Sequence, residues 1–443
     1  MRWEHLPEPE RFRRLALEAQ RAGRLPSLAA AVFRGDELVW SDAVGLADVE
    51  EQREATPDTQ YAVASITKTF TAVSVMQQRD AGDLELDEPL SSYLPEAAHG
   101  SPTLRRMLAH ASGLQREPPG EVWESLRFPG EEELLARLGE AEQVLAPGAA
   151  WHYSNLAYAL LGHVVARVSG TPFRDYVQER LLEPLGLTRT TWGPAAPAAK
   201  PYFVAPYSDA VQREPELELG GKGGESGLSS TVGDLARWAS FLADPDEAVL
   251  APASVAEMHD LQIMAEPDWT LGWGLGIELW RRGERIFAGH TGGFPGFLSM
   301  FVYSRRDRVG AVVLTNSGNW PKLSETGLVL AEAALDELTP EIESWVPEEP
   351  PPEEMVPLLG RWWSEGSETV FSWRNGKLEA RLATAPPDHE PSVFEEEGED
   401  RFRTVSGGER GEPMRVVRDE SGAVFKLYWA TYPFTRAPEG FGG

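Results

Sequence analysis

The run Glu348-Glu349-Pro350-Pro351-Pro352-Glu353-Glu354 cannot be continued into a helix or a central strand. Three consecutive prolines remove three backbone donors and fix φ, and the flanking carboxylates repel one another. The stretch from Glu341 to Glu354 therefore reads as an extended acidic linker. Whatever folds before it must close a core without the residues that follow. The pattern changes across it, which divides the chain into a domain at residues 1–342, a linker at 343–355 and a small domain at 356–443. With 443 residues, 42% of them hydrophobic, the first part has room for a large core.

Beyond the linker the pattern is all strand. Residues 369–374 and 377–382 flank Asn375-Gly376, a pair suited to the positive φ values of a two-residue hairpin turn. Such a loop sets Trp373 opposite Leu378 and Phe371 opposite Ala380, giving the hairpin one apolar face. Residues 415–418, 423–429 and 432–435 continue the theme, so a small β-barrel or sandwich is expected, with its tryptophans in the core.

The first part mixes periods. Helical spacing marks residues 8–23, 104–110, 131–138, 156–168, 173–182, 231–242 and 328–338, and a helix carrying Ser65 lies within 61–80. Short apolar runs at 28–33, 38–44, 274–280, 286–289, 296–304 and 309–316 read as strands, the first two joined by Arg34-Gly35-Asp36. Gly220-Gly-Lys-Gly-Gly224 reads as a flexible loop. The order is strand pair, long helical middle, strand group, closing helix. This is an α+β arrangement: an antiparallel sheet built from both ends of the domain and packed beside a helical region. A cleft is expected where the two meet.

A formal charge of −29 and a pI near 4.7 repel phosphate backbones and anionic lipid, which argues against nucleic-acid and membrane partners. The absence of cysteine excludes disulfides, thiolate metal sites and cysteine nucleophiles. The first ten residues lack the apolar core of a secretory signal, and no run approaches the ~20 apolar residues of a membrane span. A cytoplasmic protein is expected. No His-Glu-x-x-His, Walker loop, complete Gly-x-Gly-x-x-Gly or Gly-x-Ser-x-Gly elbow occurs, and no metal or cofactor is expected.

Three short stretches carry chemistry. In Ser65-Ile66-Thr67-Lys68 a helix from Ser65 would put hydroxyl and ammonium on one face at its positive end, with unpaired N–H groups nearby. Of six lysines, only Lys68 has a serine three places earlier. The alternative is a capping serine beside a solvated lysine. Tyr153-Ser154-Asn155 opens the helix beginning near Leu156. Its alternatives are a capping Ser154 or Asn155 with Tyr153 packed on the core, or a phenol working as base and acid beside an amide that orients a substrate. His290-Thr291-Gly292-Gly293 ends a strand. It is either a glycine-permitted turn or an edge along which a substrate pairs, with the Gly293 and Ser65 N–H groups as an oxyanion hole. His110, His152 and His163 are expected to be structural, His152 being placed to tune Tyr153.

Together, in this order, the three stretches resemble the penicillin-recognising serine hydrolases: class C β-lactamases, D-Ala-D-Ala carboxypeptidases, D-aminopeptidases and related esterases. The phrases Ala109-His110-Ala111-Ser112-Gly113-Leu114, Pro147 to Gly162 and Gly227 to Arg237 are similar to the family's in wider context, and the likeness spans about residues 10–338. The tail resembles the lipocalin-like β-domain appended to some members. The resemblance implies that Ser65 forms an acyl-enzyme, that Lys68 and Tyr153 share proton transfer, and that Asn155 holds the substrate's carbonyl. It also implies that His290 lines the strand side, where other members carry lysine, and that Thr291 contacts a substrate carboxylate. The histidine form is more like the peptidases and D-aminopeptidases than the lysine-bearing β-lactamases. An esterase or D-amino-acid amidase/peptidase is therefore expected, acting on a small molecule or short peptide. A β-lactamase or carboxypeptidase, and a catalytically idle ligand-binding protein, stand as alternatives, and self-association is left open.

Overall fold

The computed structural model describes residues 8–215, 224, 226–320, 322–338, 345–347, 349–386 and 389–439. Most of the first ten residues, and the glycine loop expected at 220–224 apart from Gly224, lie outside these. The chain divides into two compact units, residues 1–340 and 341–443.

The larger unit is built on a nine-stranded antiparallel sheet. In chain order its strands are β1 (Ser27–Arg34), β2 (Glu37–Asp48), β3 (Arg53–Glu54), β4 (Ile263–Met264), β5 (Leu271–Trp273), β6 (Glu278–Arg282), β7 (Arg285–Phe294), β8 (Phe297–Ser304) and β9 (Val309–Thr315). In space they run β3-β2-β1-β9-β8-β7-β6-β5-β4. The two ends of the domain meet at the β1–β9 ladder, where Leu28 lies opposite Thr315 and Arg34 opposite Val309. Side chains alternate across a strand. Ala29, Ala31 and Phe33 accordingly enter one apolar core while Leu28, Ala30 and Val32 enter another on the opposite face.

Helix α1 (Glu8–Gly23) covers the second face with Phe12, Ala16 and Ala19, spaced to share one helix side, and α5 (Leu323–Glu337) lies on the same core. The first face is covered by α2 (Thr67–Asp80), α3 (Asn155–Ser169) and α4 (Val232–Ala243). Phe70 of α2 stacks on Trp238 of α4 with ring centres 3.8 Å apart, and the indole N–H donates to Thr69 Oγ1 at 2.8 Å. An apolar stack capped by one directional bond fixes how deep α2 sits against the sheet.

Four local expectations are corrected. Ser65 is not in the α-helix but in a 3₁₀ turn, Ala64–Ile66, that leads into it. The run 274–280 is not one strand: β5 ends at Trp273, β6 begins at Glu278, and these two residues face each other across the turn. Glycine makes that turn, since Gly276 has φ +79° and a Cβ on Gly274 would lie 2.1 Å from the Met258 carbonyl oxygen. His290-Thr291-Gly292-Gly293 does not end its strand, because β7 continues to Phe294. The closing helix starts at Leu323 rather than 328.

The smaller unit is a closed barrel of eight strands: β10 (Gly360–Ser364), β11 (Ser367–Arg374), β12 (Lys377–Leu382), β13 (Ser392–Gly398), β14 (Arg401–Thr404), β15 (Pro413–Arg418), β16 (Val424–Trp429) and β17 (Tyr432–Thr435). Each pairs with the next, and β17 closes on β10 through Thr435 and Trp363. Trp373 faces Leu378 and Phe371 faces Ala380, as the Asn375-Gly376 turn requires. The core is aromatic, with Trp362, Phe371, Phe394, Trp429 and Phe434. Among the described residues of the chain no helix is long and apolar enough to cross a membrane.

Candidate active site

The chain reaches Ser65 through Ala64, whose φ is +47°. An alanine in the left-handed region costs about 1 kcal/mol, a conformation that persists only where its surroundings impose it. Here they do. Val63 is fixed from the sheet side, where Ser299 Oγ of β8 donates to its carbonyl oxygen at 2.9 Å. Gly292 of β7 packs on the same carbonyl so closely that a Cβ would come within 2.2 Å of the oxygen. Sheet and 3₁₀ turn are thus joined two residues before Ser65.

Lys68 lies in the first turn of α2 and is fully buried. Its Nζ donates to Ser65 Oγ at 3.0 Å. The ammonium also stands 5.1 Å from the ring centre of Tyr153 and 5.7 Å from that of Tyr158, distances at which the ring faces attract a cation. The Tyr153 hydroxyl is hydrogen-bonded to Ser65, and burial pushes that phenol well above its ordinary range. The capping alternative at Tyr153-Ser154-Asn155 holds alongside: Ser154 Oγ accepts from the Ala157 N–H at 3.0 Å and donates to the Gln115 carbonyl at 2.8 Å. With Ser154 taking the cap, Tyr153 is left to bond Ser65.

His110, rather than His152, supports Tyr153. The two rings stack with centres 4.1 Å apart, and the Ser154 N–H donates to His110 Nδ1 at 3.0 Å. A backbone donor on Nδ1 requires that nitrogen to be an acceptor, and burial together with the Lys68 charge holds the ring neutral. Trp273 closes the cluster edge-on, 4.6 Å from His110, 5.7 Å from Tyr153 and 5.4 Å from His290. Asn155 is anchored from outside: its Nδ2 donates to Glu117 Oε1 at 2.7 Å.

On the strand wall the β6–β7 ladder stops at Gly289, so from His290 onward the strand pairs only with β8. His290 is fully buried, its Nδ1 lies 2.5 Å from the Thr291 carbonyl oxygen, and burial with the Lys68 charge lowers its pKa to about 3. Thr291 turns both of its donors to one acceptor: its N–H and hydroxyl reach Glu278 Oε1 at 2.9 and 2.7 Å. Glu278 is itself buried, which raises its pKa to about 7 against the pull of Thr291 and Lys68. Gly293, opposite Leu298, sits one residue beyond the contact with Val63.

Ser65, Lys68 and Tyr153, separated by up to 88 positions (153 − 65), therefore share one oxygen. Asn155, His290 and Thr291 surround them, each engaged by a neighbour. Three residues that sequence patterns did not single out complete the site: Glu278, Glu117 and Trp273. Glu278 did leave a trace, as the one charged residue between Trp269 and Trp280. Among the described residues no three His, Asp or Glu side chains gather as a metal site. A serine hydroxyl, a buried amine and a protonated phenol in mutual reach suit acyl transfer.

A family model described as Beta-lactamase matches residues 12–335, and a Domain of unknown function, DUF7586, matches residues 351–436. Esterase EstB of Burkholderia gladioli is 36% identical over 216 residues, 45% of this chain and 54% of that one. Beta-lactamase-like protein 2 of Dictyostelium discoideum is 30% identical over 265 residues, 56% of this chain and 48% of that one. The chain thus spans about half the length of these two relatives. A solved D-stereospecific amidohydrolase from Streptomyces sp. superposes with a TM-score of 0.63 at 26% identity, covering 74% of this chain and 99% of that one. With a family model covering most of its length, and with Ser65, the buried Lys68 and Tyr153 brought together, the chain belongs to the beta-lactamase family of serine hydrolases.

Proposed function

We propose that this protein cleaves esters or D-amino-acid amides through an acyl-enzyme on Ser65. The observation that carries the proposal is the Lys68 Nζ–Ser65 Oγ hydrogen bond of 3.0 Å on an oxygen that Tyr153 also reaches. In the acylation step Oγ bonds to the substrate's acyl carbon, its proton passes to the Lys68–Tyr153 pair, and the leaving alcohol or amine departs with a proton from that pair. Burial keeps the phenol protonated, so the pair takes up the Ser65 proton in the form in which Lys68 is the neutral amine; Lys68 then acts as base and Tyr153 as acid, the two titrating as a unit. Water then attacks the ester and the proton flow reverses. The backbone N–H groups of Ser65 and Gly293 take the developing oxyanion. Asn155 meets the substrate's carbonyl with the amide hydrogen that Glu117 leaves available.

The names of relatives support esters and D-amides: one is an esterase, and one solved neighbour a D-stereospecific amidohydrolase. A fluorophosphonate probe tests the chemistry directly. The intact protein is expected to gain one adduct at Ser65, and Ser65→Ala none. No adduct, or one that survives the substitution, favours the idle ligand-binding alternative.

A further inference from the structure

The strand wall carries a charge pattern that the serine chemistry does not use. Thr291 has one backbone hydrogen and one hydroxyl hydrogen, and both end on Glu278 Oε1. Neither remains for a substrate carboxylate. The neighbouring imidazole supplies no cation, since His290 is buried and neutral with Nδ1 3.5 Å from the same oxygen. The groups that face Glu278 are Lys68 from α2, Tyr153 from the segment before α3, His290 and Thr291 from β7, and the uncharged Trp273 across the β5–β6 ladder. Lys68, the cation in this set, is the one bonded to Ser65.

We propose that Glu278 determines specificity: its carboxylate occupies the Thr291 donors and sets a negative charge beside them, so the site takes acyl compounds that are uncharged along β7 and rejects those carrying a carboxylate there. This rests on the serine-hydrolase function proposed above and narrows its substrate class. Neutral esters and amides fit. β-Lactams with a ring carboxylate, and peptides cleaved at a bond next to a free carboxyl terminus, do not. The physical source is Coulomb repulsion in a site that water screens poorly, and among the described residues no guanidinium or ammonium on the strand wall offsets it.

The discrimination has a defined pH direction. Above about 7 Glu278 is ionised and repels the anionic substrate; as pH falls through that value the group gains a proton and the penalty fades. His290, with its pKa near 3, stays neutral throughout. A matched pair of substrates isolates the effect: a phenyl ester and its 3-carboxyphenyl counterpart with the same acyl group. The quantity to follow is the ratio of their kcat/KM values, in which changes in the common machinery largely cancel. In the unmodified protein at pH 8 the neutral ester should be favoured by roughly tenfold or more, and the preference should shrink toward pH 6. In Glu278→Gln, which keeps an acceptor for both Thr291 donors, the preference should fall severalfold and lose its pH dependence. Equal rates on the two esters in the unmodified protein at pH 8 overturn the proposal while leaving the hydrolase function standing, and so does a preference that Glu278→Gln leaves unchanged. Should Glu278→Gln not fold, the pH profile of the unmodified protein decides alone: a flat ratio between pH 6 and 8 overturns it. No turnover of either ester defeats the hydrolase function itself, and this inference with it.

Discussion

Both units have apolar cores, but among the described residues only the larger one also buries ionisable side chains. Within one neighbourhood of the larger unit Lys68, Glu278, His110 and His290 are all almost entirely removed from solvent. There His110 Nε2, His290 Nε2, Asn155 Oδ1 and Trp273 Nε1 are buried with no hydrogen-bond partner. The barrel's core is aromatic and aliphatic, and its two buried indoles are satisfied: Trp362 donates to the Leu358 carbonyl at 2.7 Å and Trp429 to Thr404 Oγ1 at 2.9 Å. Buried polar groups without partners cost stability, so a fold retains them where they act on something. The barrel's core is held by aromatic and aliphatic packing. In the larger unit four such atoms gather in one cluster near Ser65, beside the groups proposed to act on a substrate.

Removing the buried amine gives the sharpest contrast. Lys68→Met conserves volume and apolar packing along α2 while deleting the group that reaches Ser65 Oγ. Ester turnover should fall on the order of a thousandfold, with circular dichroism and the unfolding midpoint close to those of the parent. Turnover within tenfold of the parent would break the comparison, because the lysine would then be buried for structural reasons. In the barrel the balance reverses. Trp362 is fully buried, packs edge-on to Phe371, and carries the Arg436 guanidinium 3.7 Å above its ring centre. Trp362→Ala should destabilise the barrel by about 3–5 kcal/mol, read as an earlier denaturant midpoint for that unit. A loss below about 1 kcal/mol would mean that its core is not held by aromatic packing.

The same contrast decides what could be read from the chain before any coordinates. Barrel pairing is local, so Asn375-Gly376 fixed the register of β11 on β12 to the residue. Its strands 360–364, 392–398 and 401–404 escaped notice because they offer few apolar residues in alternation: Ser-Val-Phe-Glu-Glu-Glu-Gly and Arg-Phe-Arg-Thr bury little more than one aromatic each. Around Ser65 the residue types and their order pointed to the serine, the lysine and the tyrosine that the structure brings together. The supporting shell did not announce itself, for a physical reason. His110 stacks on a residue 43 positions away (153 − 110), and Glu278 meets Thr291 of the adjacent strand just after a turn, 274–277, hidden within a run that looks like one strand. These two contacts are set by which surfaces pack together, and local spacing and propensity do not encode them.

Two glycines restate the difference between the units in its smallest form. A Cβ on Gly292 would run into the Val63 carbonyl and Ser299 Oγ, so that glycine is required by the close approach of sheet and 3₁₀ turn. Gly376 meets nothing within 4 Å, and only its φ of +68° asks for glycine. Gly376→Ala therefore adds a methyl to open solvent and exacts only the left-handed conformation, about 1 kcal/mol of barrel stability. The barrel's unfolding midpoint should shift slightly and β11–β12 pairing should persist in hydrogen exchange. A much larger loss would show that the turn nucleates the barrel rather than merely joining two of its strands. No measurable loss would show that the hairpin is held by its Phe371–Ala380 and Trp373–Leu378 pairs, with the turn following the strands.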